Sequence, residues 1–280
     1  MKIAVMTDST AYLPEEVRRE KQIHMVPLNV FFDKESYQEE VDITAEEFYP
    51  KVKAATELPK TSQPSIGLIT EKLEELAEDY DAVISVHLSS GISGTFEAVG
   101  SAGKMVDNIK VYPYDSEMSC MVQGFYALEA AEMAANDATV EEILGRLDEM
   151  KQSMIAYFMV DDLGNLHRGG RLNGAQALLG SMLQVKPLLY FEDKKIVPFE
   201  KIRTRKRALK RIEDLFAADA ETGKPIRAAV IHSLREEEAQ QMKRDFEAKY
   251  PNAEVVVSYF GPVIGTHLGE GAIGLGWYFK

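Results

Sequence analysis

Cysteine is almost missing from this chain: Cys120 is the one thiol in 280 residues. A lone thiol excludes an internal disulfide framework and any Cys-rich zinc site, so stability has to come from an apolar core. Long apolar runs are missing too. No stretch approaches the ~18 apolar residues of a membrane span. The longest uncharged helical candidate, residues 172–185, is short and carries Asn173, Gln176 and Gln184. At the start, MKIAVMTDST, Asp8 interrupts the apolar run before a signal-peptide core forms. Positive charge is the third shortage: 32 Lys and Arg stand against 45 Asp and Glu, a net charge of −13. Such a surface repels polyanions, which argues against nucleic acid as a partner. These absences lead us to expect a soluble, cytoplasmic protein.

What is present is an ordinary globular mixture, 45% apolar and 28% charged, able to bury a sizeable core. At roughly 150 residues per domain the length suggests two domains. The first half alternates β-rich runs (residues 2–6, 25–32, 82–88 and 111–114) with helical patterns. Those helices open near Pro14 and span 42–54, 66–80, 95–106, 120–135 and 140–154, and Thr44 with Glu47 fits a capping box. This alternation predicts a βαβ-type parallel sheet, a Rossmann-like N-terminal domain.

Near Ile155 the texture changes. A strand over 155–160 leads to the Gly-rich His167-Arg168-Gly169-Gly170-Arg171 and a helix over 175–183. A hairpin of 186–191 with 194–199 follows, then a basic helix over 204–217, a strand at 227–232, a helix at 236–249 and a strand at 254–260. We place the division between Val160 and Gly170. That gives an α/β domain over residues 1–160 and a smaller α/β domain over 161–280.

Five segments carry chemistry. Ser89-Ser90-Gly91-Ile92-Ser93-Gly94-Thr95 lies between a strand and a helix, where Gly permits a tight path and free N–H groups meet hydroxyls. It reads as an anion cup for carboxylate or phosphate, or as a plain N-cap. Thr61-Ser62-Gln63-Pro64-Ser65 and Asp8-Ser9-Thr10 offer similar loops, the latter at a strand's carboxyl end, where α/β sheets gather ligands. Residues 261–271, with Thr266 and His267, hold too many glycines for a regular element. Residues 201–211, KIRTRKRALKR, place seven basic residues in eleven within an acidic chain. A solvated helix face, a docking surface for an acidic partner, a phosphate patch and an anionic membrane surface are the readings open to that helix. Arg168 and Arg171 extend the same basic character.

Taken in order, residues 7–11, 61–65, 89–95, 169–171, 201–206 and 261–271 resemble the DegV family, over nearly the whole chain. The resemblance implies a two-domain α/β fold holding one long-chain fatty acid in an apolar tunnel. In members of the fatty-acid-kinase binding-subunit type, the carboxyl group is presented to a separate ATP-using kinase. The acyl phosphate so formed feeds phospholipid synthesis. By that likeness Thr61, Ser93 and His267 hold the carboxyl group, with Ser62, Gly94, Thr95 and Thr266 beside them. Arg168, Arg171, Arg203 and Arg205 contact the partner or a phosphate. The chain would be a carrier rather than an enzyme, with fatty acid as ligand and neither metal nor other cofactor. His167, where Lys is frequent, and the bulky residues 118–121 depart from common family usage.

Energetics agree with a lipid. About sixteen carbons at ~0.8 kcal/mol per CH₂ offer on the order of 10 kcal/mol of gross burial, provided polar groups compensate the carboxylate. The competing expectation is a serine hydrolase using Ser93 and His267, with Asp115 or Asp162 as the acid. Against it, Thr95 stands where a G-x-S-x-G elbow needs its second Gly. A nucleotide-binding enzyme is disfavoured because no G-x-x-x-x-G-K-[ST] loop occurs.

Overall fold

The computed structural model describes residues 1–173 and 186–280, and the helix expected over 175–183 lies outside them. A parallel sheet forms first, in the spatial order β2 (Ile23–Val26), β1 (Ile3–Asp8), β6 (Ala82–His87), β7 (Lys110–Asp115). Its inner strands IAVMTD and AVISVH are buried along almost their whole length, as parallel strands covered on both faces must be. Helices α1 (Glu15–Glu20), α3 (Ile66–Ala77) and α4 (Thr95–Ala102) connect its strands. Helix α3 turns Ile69, Leu73 and Leu76 inward at helical spacing.

The strand expected over residues 25–32 is split between two sheets. β3 (Asn29–Phe32) leaves the parallel sheet and joins β4 (Glu35–Gln38) and β5 (Lys60–Ser62) in an antiparallel one. Pro27 has no N–H to continue a ladder, and the Leu28 amide instead donates to Ser9 Oγ at 3.0 Å. Helix α2 (Ala45–Ala54) opens on the Thr44–Glu47 capping box.

The second large sheet is mixed, in the order β10 (Lys195–Glu200), β9 (Leu188–Glu192), β8 (Ile155–Met159), β13 (Ile273–Phe279), β11 (Ile226–His232), β12 (Ala253–Tyr259). Strand β8 pairs with β9 and β13, so the change of sheet precedes Ile155, upstream of the division expected at residue 160. The β9–β10 hairpin turns at Asp193 (φ 47) and Lys194 (φ 69), the two positive values that suit the twist of the strands. Helices α8 (Arg205–Ala220) and α9 (Glu236–Lys249) cover one face. Ala208, Ile212, Phe216 and Ala220 of α8 share a core with Trp277.

Two elements lie between the sheets. Helix α5 (Cys120–Ala135) is apolar on every side and touches β1 and β6 on one side, β11 and β12 on the other. Helix α6 (Val140–Ser153) packs beside it behind a second capping box, Thr139–Glu142. Residues 261–271, expected to be irregular, instead contain α10 (Pro262–Leu268), opened by Pro262 in the first turn. Gly265 serves close approach there, since a Cβ would come within 2.7 Å of Tyr49 Oη. The short α7 (Gly164–Arg168) packs against α10.

Candidate functional site

A cavity of about 390 Å³ opens between the two large sheets, within the range of small-molecule sites. Most of its wall is apolar. Leu28, Leu88, Ile92 and Val122 come from the N-terminal half; Phe158, Phe191, Ile231, Phe260, Val263, Ile264 and Leu275 come from the C-terminal half. Its polar members are Thr61, Ser62, Gln63, Ser93, Ser119, Arg171 and His267.

These polar groups are held by one another and by the neighbouring backbone. Thr61 Oγ1 and His267 Nε2 lie 2.9 Å apart, joining β5 to α10. Gly94 lets the turn before α4 meet the loop after β5, because a Cβ there would fall 2.2 Å from Gln63 Oε1. Arg171 donates from Nε to Ile92 O at 3.2 Å and from Nη1 to Gly169 O at 2.6 Å. Gly169 in turn abuts the His267 ring, where a Cβ would lie 2.4 Å from Nδ1. Ser93 Oγ lies 2.9 Å from Thr95 Oγ1 and accepts the Thr95 amide at 3.3 Å.

The loop carrying Ser93 is held from across the cavity. Ser89 Oγ donates to Lys194 O at 2.6 Å, and Gly91 is required because a Cβ would sit 2.2 Å from that oxygen. Lys194 Nζ reaches Asp115 Oδ2 at 2.9 Å, and Asp115 also accepts from Ser90 Oγ at 2.6 Å. The hairpin turn thus latches onto the Ser-rich loop, while Phe191 and Ile196 from its two strands face the cavity.

Burial, and then the charge of Arg171, lower the pKa of His267 to about 4. The imidazole is therefore neutral near pH 7, and its Nδ1 has no hydrogen-bond partner among the described residues. Burial pushes the Cys120 thiol up and keeps it protonated at the cavity wall, where its backbone sits at φ 61.

The expected site residues fall in different places. Arg171 faces the cavity rather than an outer docking surface. Arg205 is committed internally, to Glu238 Oε2 and to Gly271 O, each at 2.6 Å. Arg168 is exposed and donates to Asn165 Oδ1 at 2.7 Å. Arg203 is exposed in an open groove with Arg207, Lys210 and Arg211. Thr266 Oγ1 turns back to Pro262 O at 2.8 Å, as helical Thr residues do, and misses the cavity.

Asp8, Ser9 and Thr10 are buried and miss it as well. Asp8 accepts from Leu88 N at 3.0 Å and lies 3.0 Å from His87 Nδ1, which ties β1 to β6. Among the described residues no Ser-His-Asp relay assembles around His267: its Nε2 meets Thr61, Asp115 is taken by Ser90 and Lys194, and Asp162 accepts from Gly164 N at 2.7 Å.

Reading the sequence missed Gln63, Ser119 and the pair Gly274 and Gly276, all at the cavity. The glycines did leave a signal. Spaced two apart in a strand, they share one face of β13, and a Cβ at 276 would come 2.3 Å from Val122 Cγ2.

Fold and cavity together define a two-domain α/β protein with an internal, largely apolar chamber. The DegV family model matches residues 2–280, and the chain belongs to the DegV family. Protein DegV of Bacillus subtilis strain 168 is 59% identical over 281 residues, covering 100% of both chains. The crystal structure of B. subtilis DegV, described as a fatty acid binding protein, superposes with a TM-score of 0.96 over 100% of both chains, at 59% identity. A DegV family protein from Thermus thermophilus, described by its fatty acid binding, reaches a TM-score of 0.93 over 100% of both chains at 32% identity. Among the described residues no helix is long and apolar enough to cross a membrane.

Proposed function

We propose that this chain binds one long-chain fatty acid in the cavity and presents its carboxyl group to a separate ATP-dependent kinase. The observation that carries this reading is the cavity's composition: an apolar chamber of about 390 Å³ whose wall also holds Thr61, Gln63, Ser93, Arg171 and His267, with Thr61 bonded to His267 and Arg171 fixed by the Ile92 and Gly169 carbonyls. An alkyl chain gains from the apolar wall, and a carboxylate is costly to bury unless donors meet it. With Nε2 protonated, His267 donates to Thr61 Oγ1 and leaves the Thr61 hydroxyl proton for a carboxylate oxygen. Ser93 offers a second hydroxyl, and the Arg171 guanidinium the positive charge.

The kinase would transfer the γ-phosphoryl group of ATP to a carboxylate oxygen, giving acyl phosphate and ADP, and the acyl phosphate would feed phospholipid synthesis. The exposed cations Arg168, Arg203 and Arg207 suit an acidic face on that partner. Denaturing the purified protein, extracting it with organic solvent and analysing the extract by mass spectrometry tests the lipid assignment. A stoichiometric long-chain fatty acid is expected. An empty extract, combined with failure to take up added palmitate, would refute it.

A further inference from the structure

Glu39 follows β4, belongs to none of the sequence motifs and does not line the cavity, yet it is fully buried. Its Oε1 accepts from Tyr12 Oη at 2.9 Å and from the Val263 amide at 2.7 Å, and its Oε2 accepts from Ser9 Oγ at 2.5 Å. Two of these donors receive amides in turn. Leu28 N donates to Ser9 Oγ at 3.0 Å, and Ile264 N donates to Tyr12 Oη at 3.2 Å. Leu28, Val263 and Ile264 all line the cavity. Three N–H groups of its wall are thus drawn, directly or through one hydroxyl, toward a single carboxylate and away from the apolar space. Gly261, at the N-cap of α10, has no side chain to cap that helix, so Glu39 supplies the acceptor from another element. His267 rides on the same helix.

We infer that Glu39 is a positioning residue for the lipid site: it locks the Leu28 turn and the start of α10 into one wall against which the bound chain rests. Its role depends on the fatty-acid reading above. The ionised carboxylate suits this arrangement, because all three of its contacts are donors, and a protonated one would turn its hydrogen on Ser9 or Tyr12 and displace the hydrogen that hydroxyl donates. Burial raises the pKa of Glu39 to about 8, so the pair of states interchanges between pH 7 and 9. The titratable groups around it are Tyr12, Glu40, Tyr49, Cys120 and Tyr259, all pushed up by burial. His267, lowered to about 4, stays neutral throughout that window.

The test follows dissociation of cis-parinaric acid, a fluorescent long-chain fatty acid, into excess albumin by stopped flow, alongside urea unfolding. Glu39→Gln keeps the shape but gives up one acceptor, and dissociation is expected to be about tenfold faster at pH 9. Wild type should release the probe more slowly at pH 9 than at pH 7. Glu39→Gln should lose that pH dependence, and Glu40→Gln should keep it. Tyr12→Phe removes the hydroxyl between Ile264 and Glu39 without altering charge, and should also speed release if Glu39→Gln fails to fold. Variants that unfold more easily yet release the probe at the wild-type rate, with the wild-type pH profile, overturn the positioning role alone. A wild-type protein that takes up no probe overturns the fatty-acid reading, and this role with it.

Discussion

Replacing Thr61 with Val tests the carboxyl site directly. Valine matches threonine in shape and suits β5, where residue 61 pairs with Val30, so the strand itself should be untouched. The change removes one hydroxyl and leaves His267 Nε2 without its 2.9 Å partner, in a ring whose Nδ1 already lacks one. A hydrogen bond to a charged group contributes about 1.5–3 kcal/mol, so palmitate should bind roughly 10- to 150-fold more weakly. Thr61→Ser retains the hydroxyl and should recover most of the affinity. The discriminating ligand is methyl palmitate, which keeps the tail and has no anion. Its affinity should change far less between wild type and Thr61→Val. Both affinities are read by displacement of a fluorescent fatty acid, with urea unfolding as the check on folding. Equal losses for acid and ester would mean that Thr61 shapes the chamber rather than holding the carboxylate. No loss for either would remove it from the site.

Further expectations concern pH, the latch and the floor of the cavity. Because the folded pKa of His267 is about 4 against an ordinary 6.5, the unfolded chain binds the extra proton between those values. Stability is therefore lost as pH falls through that window, by up to about 3 kcal/mol from this group, and His267→Asn should flatten that part of the urea-midpoint profile. Identical profiles for the two proteins would contradict a buried neutral imidazole. Lys194→Met cuts the contact with Asp115 at the hairpin turn, and since such half-exposed pairs contribute only ~0.2–1 kcal/mol, lipid release should accelerate about two- to fivefold, a gap that high salt narrows. Unchanged release would show that the latch does not limit exchange. Gly276→Ala drives a methyl into Val122 Cγ2 and should cost about 1–3 kcal/mol, recovered in the double variant with Val122→Ala. Failure of that recovery in thermal unfolding would place the strain elsewhere.

Legibility in this chain followed how local the cause was. Helix α5 spans Cys120–Ala135, the bounds expected from its helical pattern, and Thr44 with Glu47 forms the expected capping box, because local spacing decides both. The break at Pro27 was misread since either half of 25–32 makes a good strand; only the Ser9 hydroxyl, distant in sequence, determines where the Leu28 amide goes. The same distance hid β13. Glycines 274 and 276 weaken any strand signal, yet they are the condition for Val122 of α5 and the side chain of Phe158 to approach its backbone.

The site divided along the same line. Thr61, Ser93 and His267 stand in hydroxyl- or Gly-rich segments whose composition announces them, and all three reach the cavity. Arg171 and Arg205 look alike in sequence, each a cation in a basic segment. Gly169 O and Ile92 O turn the first toward the chamber, whereas Glu238 and Gly271 O pin the second inside the C-terminal half. Charge type is written locally, but its destination is set by acceptors far along the chain. Glu39 is the extreme case: every donor it collects comes from another element, so nothing within several residues of it hints that it braces the wall on which a ligand would lie.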